Sequence, residues 1–178
     1  MPARTANRTE NRQRLMEIME VMRRHEISRG ITPEKLCAII EDLGPTFIKL
    51  GQILSMRSDI LPKNYCEALT KLRSSVAPMP FEQVASIVEA SYGRPLNEVF
   101  SSFDETALGS ASIAQAHAAV LQTGERVVVK VQREGIHDVM SRDIMLLKQA
   151  CKVLKYTPAS GLVDFNQVLD EMWVVAQE

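Results

Sequence analysis

Apolar residues recur at helical spacing through the first hundred positions of this chain, then the period changes near residue 105 and later changes back. That switch predicts an α+β fold, helices around one short antiparallel sheet. Leu15, Ile18, Met19 and Met22 mark a helix over about 9–27, ending near Gly30. Thr32-Pro33-Glu34 is a helix start, because Pro costs nothing where the amide has no intrahelical partner. Leu36, Ile39, Ile40 and Leu43 follow, and Gly44-Pro45 stops that helix and opens the next. Tyr65, Leu69 and Leu72 mark a helix beginning near Pro62, and 74–80, with two prolines, reads as a linker. Val84, Ile87, Val88 and Ser91 define another helix closed by Gly93, with a short one over 95–100.

The run 113–120 is small and apolar, Thr123-Gly124 is a turn signal, and 126–131 is β-branched, which together predict a hairpin. Helical spacing returns in Met140, Ile144, Leu147, Cys151 and Leu154. A loop over 157–161 leads to a last helix from about Asp164, with Val168, Leu169, Met172 and Val175 apolar. That helix reaches Gln177-Glu178 without Gly, Pro or a cationic last turn, so a chain cut in mid-helix is expected.

At 178 residues, 46% apolar and 24% charged, the chain is sized and balanced for one globular domain or two small ones. A net charge of −1 argues against a nucleic-acid binder working by blanket phosphate neutralisation. Arg4, Arg8, Arg12 and Arg14 form a locally basic start, readable as a solvated helix end or as contact with an anionic membrane surface. Cys37, Cys66 and Cys151 are odd in number and far apart, which fits reduced cytosolic thiols and offers no metal site. No run approaches the roughly 18 apolar residues of a membrane span, so a soluble chain is expected.

Two clusters carry chemistry. The first is Leu43-Gly44-Pro45-Thr46-Phe47-Ile48-Lys49-Leu50-Gly51-Gln52. On a helical wheel Phe47, Leu50, Leu54 and Ser58 share one face, with Lys49, Gln52 and Met56 opposite, between Ile48 and Ile53. Either this helix is packed on two sides with Lys49 and Gln52 in a partly closed polar site, or it is ordinary and Lys49 snorkels from a groove. Gly51 costs about 1 kcal/mol relative to Ala in a helix interior, so a close neighbour is expected there. The second cluster pairs Gly109-Ser110-Ala111-Ser112-Ile113-Ala114-Gln115-Ala116-His117 with Val127-Val128-Val129-Lys130-Val131. A lysine among β-branched strand residues, after a small-residue loop, is how protein kinases hold nucleotide phosphates. A plain hairpin with one outward Lys accounts for the same alternation.

Taken together, these segments resemble the UbiB/AarF family of atypical kinase-like proteins, which act in or near isoprenoid-quinone biosynthesis. The match runs through 43–52, Arg57, Asp59 to Pro62, Ala111-Ser112-Ile113-Ala114-Gln115, His117 and Val129-Lys130-Val131-Gln132-Arg133, within 31–178. Ala116 stands where Val is usual, Glu134 where Pro is usual before Gly135, and Arg73-Ser74 replaces a common Gln-Asp.

The resemblance implies a mostly helical extension over 1–100 carrying the K-x-G-Q helix, then a kinase-like N-lobe over 101–178, with the C-lobe absent. Lys130 would bind nucleotide, with Ala111, Ser112, Ile113, Ala114 and Gln115 as the loop over the phosphates. Lys49, Gly51 and Gln52 would be the family signature, folded over the active site and restricting protein substrates. ATP and Mg²⁺ would serve the intact protein, a kinase or ATPase supporting quinone or other lipid metabolism. Its partners would be nucleotide and a membrane surface or lipid or quinone precursor, its place cytoplasmic or peripheral to a membrane. No catalytic residue is expected in this chain, because none of Asp42, Asp59, Asp104, Asp138, Asp143, Asp164 and Asp170 lies in a catalytic-loop or metal-binding motif. The Glu that would pair with Lys130 is expected past Glu178, and His25, His117 and His137 read as structural. Two rivals remain: a nucleotide-binding pseudokinase, and a helical interaction module in which the hairpin is incidental.

Overall fold

The computed structural model describes residues 8–72, 76–154 and 163–177. They divide into two compact units, one drawn from 1–73 and 137–178, the other from 74–136. The fold is α+β, a kinase-like N-lobe sheet with helices before and after it. The Arg73-Ser74 departure, the 157–161 loop and the final Glu178 lie outside the described residues.

The helical unit contains α1 (Arg8–Arg24), α2 (Pro33–Leu43), α3 (Pro45–Leu54), α4 (Lys63–Leu69), α7 (Ile136–Leu154, all but its first residue) and α8 (Val163–Gln177). Thr32 caps α2 by accepting from the Lys35 amide, as the Thr-Pro-Glu start requires. Gly44, at φ +94°, closes α2 and opens α3 in one residue, a conformation that L side chains rarely adopt. Of the predicted faces, Ile39, Ile40, Leu43, Leu69 and Leu72 are buried and Leu36 and Tyr65 half-buried, with Leu72 lying beyond α4; Cys66 is buried as well. Helix α3 packs on α2, α4 and α8. Phe47, Leu50 and Leu54 are buried as the wheel predicts, but α3 stops at Leu54. Ser58 and Met56 therefore lie beyond it, and Met56 is 78% exposed. In α1 the expected apolar face is rotated. Val21 is buried and Ile18 and Met22 are half-buried, whereas Leu15 and Met19 face solvent. On the inward side Arg14 donates to both carboxylate oxygens of Asp143 (2.7 and 3.0 Å) and to the Leu43 carbonyl.

The second unit holds α5 (Phe81–Tyr92), α6 (Leu96–Val99) and a four-stranded antiparallel sheet. The predicted hairpin is β3 (Ala114–Leu121) with β4 (Arg126–Gln132), turning at Gly124 with φ +87°. Two further strands, β1 (Phe100–Phe103) and β2 (Gly109–Ser110), pair with β3 on its other side. The register slips between Phe100 and Ser102, so Ser101 is an extra residue. That bulge turns both phenylalanines toward α5 although they are three apart, whereas strict alternation would point them to opposite faces. They join Met79, Val84, Val88, Ala119 and Val131 in the core, with Phe100 and Phe103 edge-on at 5.3 Å.

Candidate functional site

The hairpin ladder decides which side chains share a face. Ala114 pairs with Gln132, Ala116 with Lys130, Ala118 with Val128 and Val120 with Arg126. Gln115, His117 and Ala119 point into the core, opposite Val131, Val129 and Val127. The other face is open: Lys130 is exposed and Val128 is 66% exposed, across from a row of alanines. Small β3 side chains leave that face flat and apolar, with a lysine standing on it. Further along, Ser102, Asp104, Ala118, Val120, Arg126 and Val128 line a shallow concavity of about 400 Å³ on the sheet. Lys130 has no hydrogen-bond or ion-pair partner among the described residues.

The loop joins this face at its end, one same-face position beyond Lys130. Ala111 N–H donates to the Ala114 carbonyl, which closes a tight turn over Ser112 and Ile113. The amides of Ser112 and Ile113 have no acceptor among the described residues. Two successive unclaimed amides in a tight turn are the geometry that receives anionic oxygens. Ala111 and Ala114 flank that turn; within it Ser112 is buried and Ile113 half-buried.

Gln115 belongs to β3 and is 2% exposed. Its carboxamide is engaged at both ends: Oε1 accepts from Met79 N–H (2.7 Å), and Nε2 donates to His117 Nε2 (2.8 Å). The His117 ring donates through Nδ1 to the Asp104 carbonyl, which fixes the tautomer and leaves Nε2 as acceptor. This chain ties the strap 76–79, β3 and the β1–β2 connection together from inside. His117 is engaged in this buried network, His25 is hydrogen-bonded to Asp42, and His137 packs on Trp173.

In the helical unit, Lys49 and Gln52 are half-buried on α3 and Gly51 is buried. The expected close neighbours of Gly51 are present. A Cβ at Gly51 would collide with Leu72 Cδ1 and lie 3.1 Å from Ile40 Cδ1. Sequence reading did not single out the alanines and Val128 as a surface, since the signal was the alternation itself. Nor did it find Asp143, which is 1% exposed against Arg14. Among the described residues no cluster of three or more His, Cys, Asp or Glu could hold a metal ion. The lysine, open face and turn amides fit a nucleotide; a Mg²⁺ site is not built from these residues.

A twisted antiparallel sheet with a solvent-facing lysine and a small-residue turn at its edge defines a kinase-like N-lobe. The model of the ABC1 atypical kinase-like domain matches residues 71–177, more than half of the chain. The chain belongs to the ABC1 atypical kinase-like family. A probable protein kinase UbiB of Marinobacter nauticus is 46% identical over 122 residues, 68% of this chain and 22% of that protein. An uncharacterized protein of the hydrogenase 1 5′ region in Clostridium pasteurianum is 40% identical over 143 residues, 80% of this chain and 27% of that protein. The solved complex of Rv3197 with erythromycin from Mycobacterium tuberculosis is 32% identical, covering 75% of this chain and 34% of that one, at a TM-score of 0.49. The chain spans between 22% and 34% of the length of the first curated relatives it matches. No helix among the described residues is long and apolar enough to cross a membrane.

Proposed function

We propose that this chain holds the nucleotide in an ATP-binding UbiB-like atypical kinase or ATPase that supports isoprenoid-quinone or other lipid metabolism. The observation that carries the reading is Lys130, exposed and unpaired among described residues on a flat face of Ala116, Ala118 and Val128. A planar base can lie on such a face, while the ammonium reaches the phosphates as a point charge. The amides of Ser112 and Ile113 add neutral donors beside it, and Gln115 supports the turn from the core. Lys130 and the turn neutralise and orient the phosphates; metal coordination and activation of the nucleophile come from outside the residues described here. Lys49 and Gln52 we assign to restricting which acceptor reaches the nucleotide. In the intact protein Lys130→Ala should weaken ATP binding by about 1–3 kcal/mol, the range for charge-assisted contacts. Unchanged affinity by calorimetry would remove Lys130 from the site and favour the incidental-hairpin reading.

An anionic membrane surface is the partner we assign to α1. Leu15, Met16 and Met19 are 48%, 73% and 62% exposed. At about 100° per residue they share one arc of the helix with Arg12 and Arg23, and no carboxylate falls in that arc. The intact protein should co-float with vesicles containing anionic lipid, and Leu15→Asp/Met19→Asp should reduce it. Equal flotation of wild type and variant would assign lipid contact elsewhere.

A further inference from the structure

Arg133 holds the turn at 110–113 although it lies outside it. Its guanidinium donates from Nε to the Ala111 carbonyl (3.1 Å), and from one terminal nitrogen to Ser110 Oγ (2.8 Å) and the Ala77 carbonyl (2.9 Å). Its own backbone amide donates to the Ile113 carbonyl (3.0 Å). One residue thus grips both ends of the turn, the side chain holding the start and the main chain the end. The same guanidinium reaches back to the strap at Ala77, whose neighbour Val76 donates its amide to the Ser110 carbonyl. A planar fork with fixed N–H directions holds three acceptors in two segments, the strap and the turn, in one geometry; an ammonium on a flexible stem does not fix them in the same way. The carbonyls of Ala111 and Ile113 are thus both held by Arg133. Among the described residues the amides of Ser112 and Ile113 have no acceptor.

We propose that Arg133 is a positioning residue for phosphate recognition. It fixes the turn at residues 110–113 so that the Ser112 and Ile113 amides are presented together, without itself contacting the nucleotide. The inference rests on the nucleotide reading of Lys130 and predicts a different signature from it. A ligand is held by Lys130 through charge and by the turn through oriented amides, while a base and sugar without phosphate use neither. Arg133→Lys keeps the positive charge and loses the fork.

The experiment is calorimetry on the intact protein with ATP, ADP and adenosine, comparing wild type, Lys130→Ala, Arg133→Lys and Ser110→Ala. Arg133→Lys should lower ATP affinity roughly tenfold, the worth of one charge-assisted hydrogen bond, and leave adenosine affinity unchanged. Ser110→Ala, which removes one acceptor at a half-buried position, should move ATP affinity in the same direction by a smaller factor. Amide hydrogen exchange should show Ser112 and Ile113 gaining protection with ATP in wild type and not in Arg133→Lys. If ATP and adenosine weaken equally, or ATP affinity is unchanged in both Arg133→Lys and Ser110→Ala, the positioning role is wrong. If Lys130→Ala also leaves ATP binding intact, the nucleotide reading itself has failed, a separate and recognisable result.

Discussion

Asp143 shows how a single residue can govern a packing arrangement that apolar periodicity alone would set differently. It is 1% exposed, and its carboxylate accepts two bonds from Arg14, whose guanidinium also caps the Leu43 carbonyl and lies 5.9 Å above the Phe47 ring. The hydrogen bond to Asp143 raises the Arg14 pKa above its ordinary value. Removing one member strands a charge in a poorly solvated place. Asp143→Ala should therefore lose about 3–5 kcal/mol of stability, while the double change Arg14→Met/Asp143→Leu should recover much of it. Urea unfolding of the three proteins checks this; a loss under about 1 kcal/mol for the single change would show the pair to be effectively solvated.

At the scale of elements, α3 makes a close approach at Gly51. The K-x-G-Q signature places Gly51 where Leu72 and Ile40 fill the space a Cβ needs. Alanine gains about 1 kcal/mol of helix propensity there but loses about 1–3 kcal/mol to overpacking, partly relieved because Leu72 is a flexible side chain. Gly51→Ala should be destabilising by about 1 kcal/mol net, and Gly51→Val by clearly more. Thermal unfolding decides it: an alanine variant that melts higher than wild type would mean that Leu72 yields freely. The need for a small residue here was legible in the sequence, because glycine inside a good helical pattern costs propensity and asks for a reason. Strand β1 was not legible. Phe100 and Phe103 have the wrong spacing for a strand, and only the bulge at Ser101, whose hydroxyl donates to the Val120 and Leu121 carbonyls, reconciles them.

The surface of the whole molecule gives a sign to its acid response. Glu20, Asp42 and Asp59 are held below their ordinary values by hydrogen bonds from Arg23, His25 and Arg57 respectively. Because each is depressed in the folded state, its contribution is present above the unfolded value and is lost as pH falls through the folded one. Stability should decline on acidification below about pH 4, and Asp42→Asn should shallow that limb. All three groups are exposed, so high salt should shrink the effect. An acid limb that is unchanged in Asp42→Asn would assign the response to other carboxylates. We propose that the helical extension ends near residue 100; limited proteolysis should cut there, and stable pieces ending near 73 and 136 would follow the two compact units instead.

Helix positions, the hairpin, the K-x-G-Q segment and Lys130 could be read from the sequence alone, because each rests on local spacing or on a motif within ten residues. The rotation of α1, the bulged β1 strand, the buried Arg14–Asp143 pair and the Arg133 clamp were decided only by tertiary structure. Each depends on a partner far along the chain, 129 residues away for Arg14 and up to 56 for Arg133. Local periodicity records which side of an element is apolar. It cannot record which distant charge or carbonyl will be brought to meet it, since that is set when the elements pack.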